Sequence, residues 1–221
     1  MQTVLFHSTI FGPIHSRRLG VSLGVNLTPD DGKICTFDCL YCEAGFNAQG
    51  TGTTGLPPRE TVARLLESRL SAMKAADQPL DVITFSGNGE PTVHPDFHNI
   101  IDDTLHIRDR YYPDAKVSVL SNSTRIDRRE VREALMKVDN NILKLDSAIT
   151  DTIRLIDRPT LSNFTADKVI GELEKFGKDC IIQTMFLRGE HDGNPIDNTT
   201  PREVTALIEA YRRINPREVM I

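Results

Sequence analysis

Short runs rich in apolar and β-branched residues alternate along this chain with longer stretches of helical period, and that alternation restricts the fold more than any other feature. Strands are expected at residues 21–27, 82–86, 117–121, 142–146, 181–186 and 218–221. Between them, Val62, Leu65, Leu66, Leu70 and Met73 recur on one helix face, and Phe97, Ile100, Ile101 and Leu105 on a second. Val131, Leu135 and Val138 mark a third helix; Val169, Ile170, Leu173 and Phe176 mark a fourth, ahead of Gly177. A fifth carries Val204, Leu207, Ile208 and Tyr211, with Thr200, Pro201 and Glu203 in a capping-box pattern at its start. Strand and helix repeated in this way imply parallel strands joined by right-handed crossovers. The expected fold is α/β, a partial (β/α)6 barrel, with reactive groups at the carboxyl ends of its strands.

At 221 residues and 39% hydrophobic content the chain suits one buried core, so residues 1–221 read as a single domain, which its sixth strand either closes or leaves to be continued by further residues. The net charge of -5 supplies no overall basic field to gather nucleic acid. The first twenty residues do not follow a secretory-signal pattern, and no apolar run is long enough to span a membrane, which makes the cytoplasm the expected location. A glycine-rich stretch at residues 45–58 reads as a connection or as a lid.

Cys35, Cys39 and Cys42 fall within eight residues just after the first predicted strand, while Cys180 lies far away. This clustering favours ligation over cross-linking. Three close thiolates without a fourth suit a [4Fe-4S] cluster with one iron left open. Zinc would need another ligand, such as His15 or Cys180, and only one Cys-x2-Cys pair is present.

The Cys-x3-Cys-x2-Cys spacing, with Tyr41 before the last cysteine, resembles the signature of the radical SAM superfamily. That resemblance implies that the open iron chelates the amino and carboxylate groups of S-adenosylmethionine. Reductive cleavage would then give methionine and a 5′-deoxyadenosyl radical that abstracts hydrogen from a substrate. It also implies a reductant such as a flavodoxin or ferredoxin, and places Tyr41 near the adenine. Ser86-Gly87-Asn88-Gly89-Glu90-Pro91, which alone reads as a strand-ending turn, resembles the family's Gly-Gly-Glu-Pro motif. Gly87, Gly89 and Glu90 are therefore candidate contacts for the methionyl amino group. Ser121 and Asn122, followed by Ser123 and Thr124, are turn-capping residues or, by resemblance, further cofactor contacts. Lys144 and Asp146 share one face of a strand and pair, bind a ligand, or do both. The resemblance implies cofactor carboxylate or ribose contacts here, with Lys144 the preferred partner of the carboxylate. Cys180 reads as a small buried residue.

Gly12-Pro13, Ser16-Arg17-Arg18-Leu19-Gly20, Lys144-Leu145-Asp146 and Asp157-Arg158-Pro159 together resemble a subgroup of radical SAM oxidoreductases related to the tRNA wyosine-synthesis enzymes. Arg17, Arg18 and Arg158 either bind an anion or pair with surface carboxylates. A second cysteine triplet is absent and the bulk charge is acidic, which weighs against a tRNA substrate. The substrate is unidentified: a small molecule or a macromolecule, with tRNA-base modification and glycyl-radical activation as classes within the enzyme reading. The competing class is an iron-sulfur electron-transfer or regulatory protein that never cleaves S-adenosylmethionine. A zinc-binding nucleic-acid module predicts basic surface clusters that the sequence does not display.

Replacing Cys35, Cys39 or Cys42 with alanine is expected to abolish the visible absorbance of an anaerobically reconstituted iron-sulfur cluster, whereas Cys180→Ala keeps it. Retention of the cluster in Cys39→Ala would contradict the ligand assignment.

Overall fold

A computed structural model describes residues 3–221. Its strands are β1 (Ile10–Ser16), β2 (Gly20–Val25), β3 (Val82–Phe85), β4 (Lys116–Ser121), β5 (Asn140–Lys144), β6 (Ile181–Gln183), β7 (Arg188–His191), β8 (Asn194–Asp197) and β9 (Glu218–Met220). The helices are α1 (Arg59–Ala75), α2 (Phe97–Tyr111), α3 (Arg129–Leu135), α4 (Thr150–Ile156), α5 (Ala166–Leu173) and α6 (Pro201–Ile214). One sheet runs in the order β1-β2-β3-β4-β5-β6-β9, and β7 pairs with β8 as a separate hairpin. From β2 to β9 every neighbouring pair in that sheet is parallel. Because β1 and β9 occupy opposite edges, the six parallel strands make the partial (β/α)6 barrel expected from the alternation, and it is open.

Period-two alternation sorts the two faces of the sheet, both of them largely buried. Leu23, Val25, Ile83, Phe85, Val117, Val119, Leu143 and Ile182 join the apolar faces of the helices in one hydrophobic cluster. Each such side chain contributes about 1.5–3 kcal/mol by leaving water. The alternate residues are more polar: Ser22 and Thr84 share a hydrogen bond of 2.8 Å, and Asn140 donates to Ser118 at 2.9 Å. Polar groups on this face therefore satisfy one another across neighbouring strands.

All six predicted strands are present, most of them shorter than expected. Asp146 lies just beyond β5 rather than within a strand. The segment after β6 departs because the amide of Met185 donates to the Asp146 carboxylate at 2.9 Å instead of continuing the ladder.

Four elements were not expected: β1, the two strands of the β7–β8 hairpin, and α4. In β1, Gly12 and Pro13 obscure the alternation; the strand tolerates them because it lies at the sheet edge, where the register shifts between Phe11 and Ile14 and Gly12 adopts φ +91°. The β7–β8 hairpin is mostly exposed and so lacks an apolar signature, yet Asp192 and Gly193 form its two-residue turn with positive φ values of 49° and 75°. Helix α4 has only two buried apolar positions, Ile153 and Ile156.

The start of α6 departs from a reciprocal capping box. Thr200 accepts from the Glu203 amide at 3.4 Å, but the buried Glu203 carboxylate instead takes the hydroxyls of Ser147 at 2.5 Å and Thr152 at 2.6 Å. Glu203 thus ties α6 to the segment entering α4, while Ile208, expected on the buried face, is 41% exposed. No helix among the described residues is long and apolar enough to cross a membrane.

Replacing Glu203 with alanine strands two hydroxyls in a closed environment and is expected to cost about 2–3 kcal/mol in urea denaturation. A change below a few tenths of a kcal/mol would show that this tie carries no stability.

Candidate functional site

The three cysteines sit in the connection between β2 and α1, all with free thiols. Backbone hydrogen bonds hold this loop on both sides. The amides of Asp38 and Leu40 donate to the carbonyls of Asp157 and Ile156 at 2.8 and 2.9 Å, and the Thr160 amide donates to the Thr36 carbonyl at 2.9 Å. On the opposite flank, the Glu90 amide donates to the Ile34 carbonyl at 3.0 Å. Phe37 is buried in edge-on contact with Phe164, 5.5 Å between ring centres. The loop is therefore anchored by α4 and by the turn after β3, with its thiols near the carboxyl ends of the parallel strands.

The glycines of that turn have a packing role. A Cβ on Gly89 would lie 2.0 Å from the Ile34 carbonyl oxygen, and one on Gly87 would lie 2.4 Å from Oδ1 of Asn26. Both approaches are to protein atoms, so glycine is required there whether or not a ligand binds. Asn88 is fully buried and fastens the N-terminal segment: its amide group accepts from the Phe6 amide at 2.8 Å and donates to the carbonyls of Phe6 and Pro29. Sequence reading gave it no role.

Glu90 is buried against β4. Its carboxylate accepts from the Thr92 amide and hydroxyl, the Ser121 hydroxyl and the Asn122 amide, at 2.6–3.1 Å. Burial pushes its carboxyl above the ordinary range, against the pull of these donors. Asn122 then reaches the cysteine loop, with Nδ2 at 2.9 Å from the Thr36 hydroxyl and 3.5 Å from Cys35 Sγ. Glu90, Ser121 and Asn122 thus form one hydrogen-bonded framework beside Cys35, with Gly87 and Gly89 in the tightly packed turn that leads into Glu90.

Tyr41, Lys144 and Asp146 form a second group, joined by Asp157. The Tyr41 hydroxyl donates toward the carboxylates of both Asp146 and Asp157, the latter at 3.0 Å, and accepts from Lys144 Nζ at 2.8 Å. Lys144 Nζ lies 3.5 Å from Asp146 and 5.0 Å from the centre of the Tyr41 ring. Both carboxylates are buried. Burial, then the neighbouring Asp146, drives the Asp157 carboxyl well above its usual range. Burial opposes charge on Lys144, but the two carboxylates outweigh it and leave its ammonium favoured. The expected Lys144–Asp146 pairing is present, while Asp157 was known only as part of a motif.

Burial also raises the thiols, Cys35 to about 11, with Glu90 adding to the effect, and Cys39 further, with Asp157 adding. Cys180, just before β6, is buried and pushed up to about 12. Among the described residues no three His, Cys, Asp or Glu side chains converge to hold one metal ion. A [4Fe-4S] cube is gripped at separate corners, however, and its iron compensates the thiolate charge that burial disfavours. Three free cysteines on one anchored loop match that donor set.

The arginines singled out from sequence divide. Arg158, at φ +49°, pairs with Asp38 at 3.4 Å and stands 5.1 Å from the centre of the Phe46 ring. Arg18 reaches the Ile221 carbonyl. The glycine-rich stretch is tied down by the Asp31 carboxylate, which accepts from the amides and hydroxyls of Thr53 and Thr54.

The sequence profile of the radical SAM superfamily matches residues 31–200. A UPF0026 protein of Methanocaldococcus jannaschii is 31% identical over 182 residues, covering 80% of this chain and 53% of its own length. A Brachyspira hyodysenteriae protein named GTPase Obg is 28% identical over 218 residues, covering 96% of this chain and 29% of that protein. The chain thus spans only part of these curated relatives. Among solved structures, Streptococcus suis SuiB bound to S-adenosylmethionine aligns with a TM-score of 0.60 at 15% identity, over 87% of this chain and 38% of its own. TYW1 with a lysine-pyruvate adduct bound aligns with a TM-score of 0.55 at 18% identity, over 90% and 65%. These structural likenesses are likenesses of fold.

Tyr41→Phe removes the hydroxyl shared by Lys144, Asp146 and Asp157. It is expected to lower the stability of the cluster-free chain by about 1–3 kcal/mol in urea denaturation. An unchanged midpoint would show that the two carboxylates do not depend on it.

Proposed function

The chain belongs to the radical SAM superfamily, an enzyme class whose cofactors are a [4Fe-4S] cluster and S-adenosylmethionine, and we propose that Cys35, Cys39 and Cys42 are the cluster ligands. The single observation supporting this reading most directly is the set of three free thiols on a loop fixed between α4 and the turn after β3. When bound, the reduced cluster supplies the electron that cleaves S-adenosylmethionine and so enables hydrogen abstraction from a substrate.

In this proposal the chain's own residues bind and orient. Lys144 is the cation that meets the methionyl carboxylate, held in place by Tyr41 and Asp146. Glu90 braces the Gly87–Gly89 backbone against Ser121 and Asn122, and that framework presents polar groups to the amino and ribose ends of the cofactor. Tyr41 stands beside the adenine side. Its link to Asp157 joins this group to the chain segment that anchors the cysteine loop, so cofactor and cluster sites share one support. Residues 1–221 act as one radical SAM core, reduced by a flavodoxin- or ferredoxin-type protein of the cytoplasm.

Anaerobic reconstitution with iron and sulfide, followed by reductant and S-adenosylmethionine, is expected to yield 5′-deoxyadenosine and methionine. A fully loaded sample that produces neither with several reductants and candidate substrates would overturn the enzyme reading in favour of electron transfer alone. Lys144→Ala is expected to weaken S-adenosylmethionine binding by about tenfold or more in equilibrium dialysis, equivalent to at least ~1.4 kcal/mol. Unaltered binding would remove Lys144 from the site.

A further inference from the structure

Outside the barrel, next to the cysteine loop, is a cluster of cations that the cofactor site does not use. Arg125, Arg128 and Lys168 line a cavity of about 270 Å³ between the turn after β4 and the segment leading into α5. None of the three side chains makes an ion pair or hydrogen bond among the described residues, and the buried Nε of Arg125 has no partner. Two acids also line the cavity. Glu172 is held by Arg132 at 3.5 Å and by Lys175 at 2.6 Å, which leaves Asp127 against three cations. This local excess of positive charge opposes the chain's net charge of -5.

The same cavity connects closely to Cys35. Thr124 lines it, and the amide and hydroxyl of Thr124 donate to Asn122 Oδ1 at 3.1 and 2.7 Å. Nδ2 of that Asn122 is 3.5 Å from Cys35 Sγ, and the Thr124 hydroxyl is also 2.6 Å from that of Thr36. A short hydrogen-bonded path therefore runs from the cavity wall to a cysteine thiol. Leu161, 39% exposed, adds an apolar element beside the charges, as protein interfaces combine apolar contact with a polar rim.

We propose that this face docks an acidic one-electron redox protein. The inference rests on the reading of Cys35 as a cluster ligand and adds the place where electrons enter. One electron leaves a reduced flavin or iron-sulfur centre of the partner and reduces the cluster by one unit; no bond forms or breaks. An acidic partner is favoured over a neutral one because unpaired cations accelerate encounter with the opposite charge and select its orientation. The path through Thr124 and Asn122 gives that orientation a use.

The test employs the full chain with its cluster reconstituted, a reduced flavodoxin as probe, and stopped-flow absorbance of the cluster without S-adenosylmethionine. Arg125→Gln/Arg128→Gln/Lys168→Gln is expected to slow reduction by flavodoxin about tenfold or more at low salt and to flatten its salt dependence. Reduction by dithionite should stay unchanged. Arg128→Glu/Lys168→Glu changes exposed positions alone and should produce at least as large a loss, which separates docking from any packing role of Arg125. Arg64→Gln/Arg202→Gln/Arg212→Gln removes equal charge elsewhere and should leave the flavodoxin rate within about twofold of the parent. Equal slowing by the two neutralising triple variants, no slowing by the first, or no reduction of the parent chain by flavodoxin would overturn the proposal. Since no S-adenosylmethionine is present, failure to cleave it leaves this result intact, whereas failure of the parent chain to assemble a cluster contradicts both readings.

Discussion

The structure depends on anchoring an irregular loop that carries three thiols. Such a loop has no ladder of its own, and its backbone groups need partners from elsewhere. They find them at Asp157, Ile156 and Glu90, on two different β/α units. The barrel thus acts as a rigid frame: displacing α4 or the turn after β3 would move the thiols directly. Gly89 belongs to the same constraint, since any side chain there would drive the turn away from Ile34.

Two buried acidic groups flank this loop and are stabilised differently. Glu90 is surrounded by neutral donors, which offset part of its cost of burial, although burial still holds its carboxyl above the ordinary range. Asp146 and Asp157 share a tyrosine hydroxyl and one lysine, so two carboxylates compete for one positive charge. Two full negative charges there would be costly in a folded interior, and burial beside Asp146 accordingly drives the Asp157 carboxyl well above its usual range. The first group gives the loop rigidity; the second gives the barrel mouth an electrostatic demand.

What the sequence revealed followed from period and residue type. Six parallel strands and five of the helices were legible because their apolar residues repeat toward a common core. The pairing of Lys144 with Asp146 was legible because residues two apart in an extended segment point to the same side, and this holds just past the end of β5. Other features were hidden because their partners are remote in the chain. Nothing local to Glu203 shows that its carboxylate will abandon its own helix start for Ser147 and Thr152. Asn88 passed for a neutral turn residue, although it secures Phe6 and Pro29 across the fold. The β7–β8 hairpin escaped notice because both strands are largely solvated; only Asp192-Gly193 signalled it, and a turn signal without flanking alternation is weak.

The proposed function requires a cluster held by three cysteines with its remaining iron open to S-adenosylmethionine. Electron paramagnetic resonance of the reduced, reconstituted chain tests it most directly, read before and after S-adenosylmethionine is added and repeated with Cys180→Ala. A [4Fe-4S] signal that shifts on addition is expected, in the parent and in the variant alike. A signal unchanged by S-adenosylmethionine, or one lost with Cys180, would contradict it.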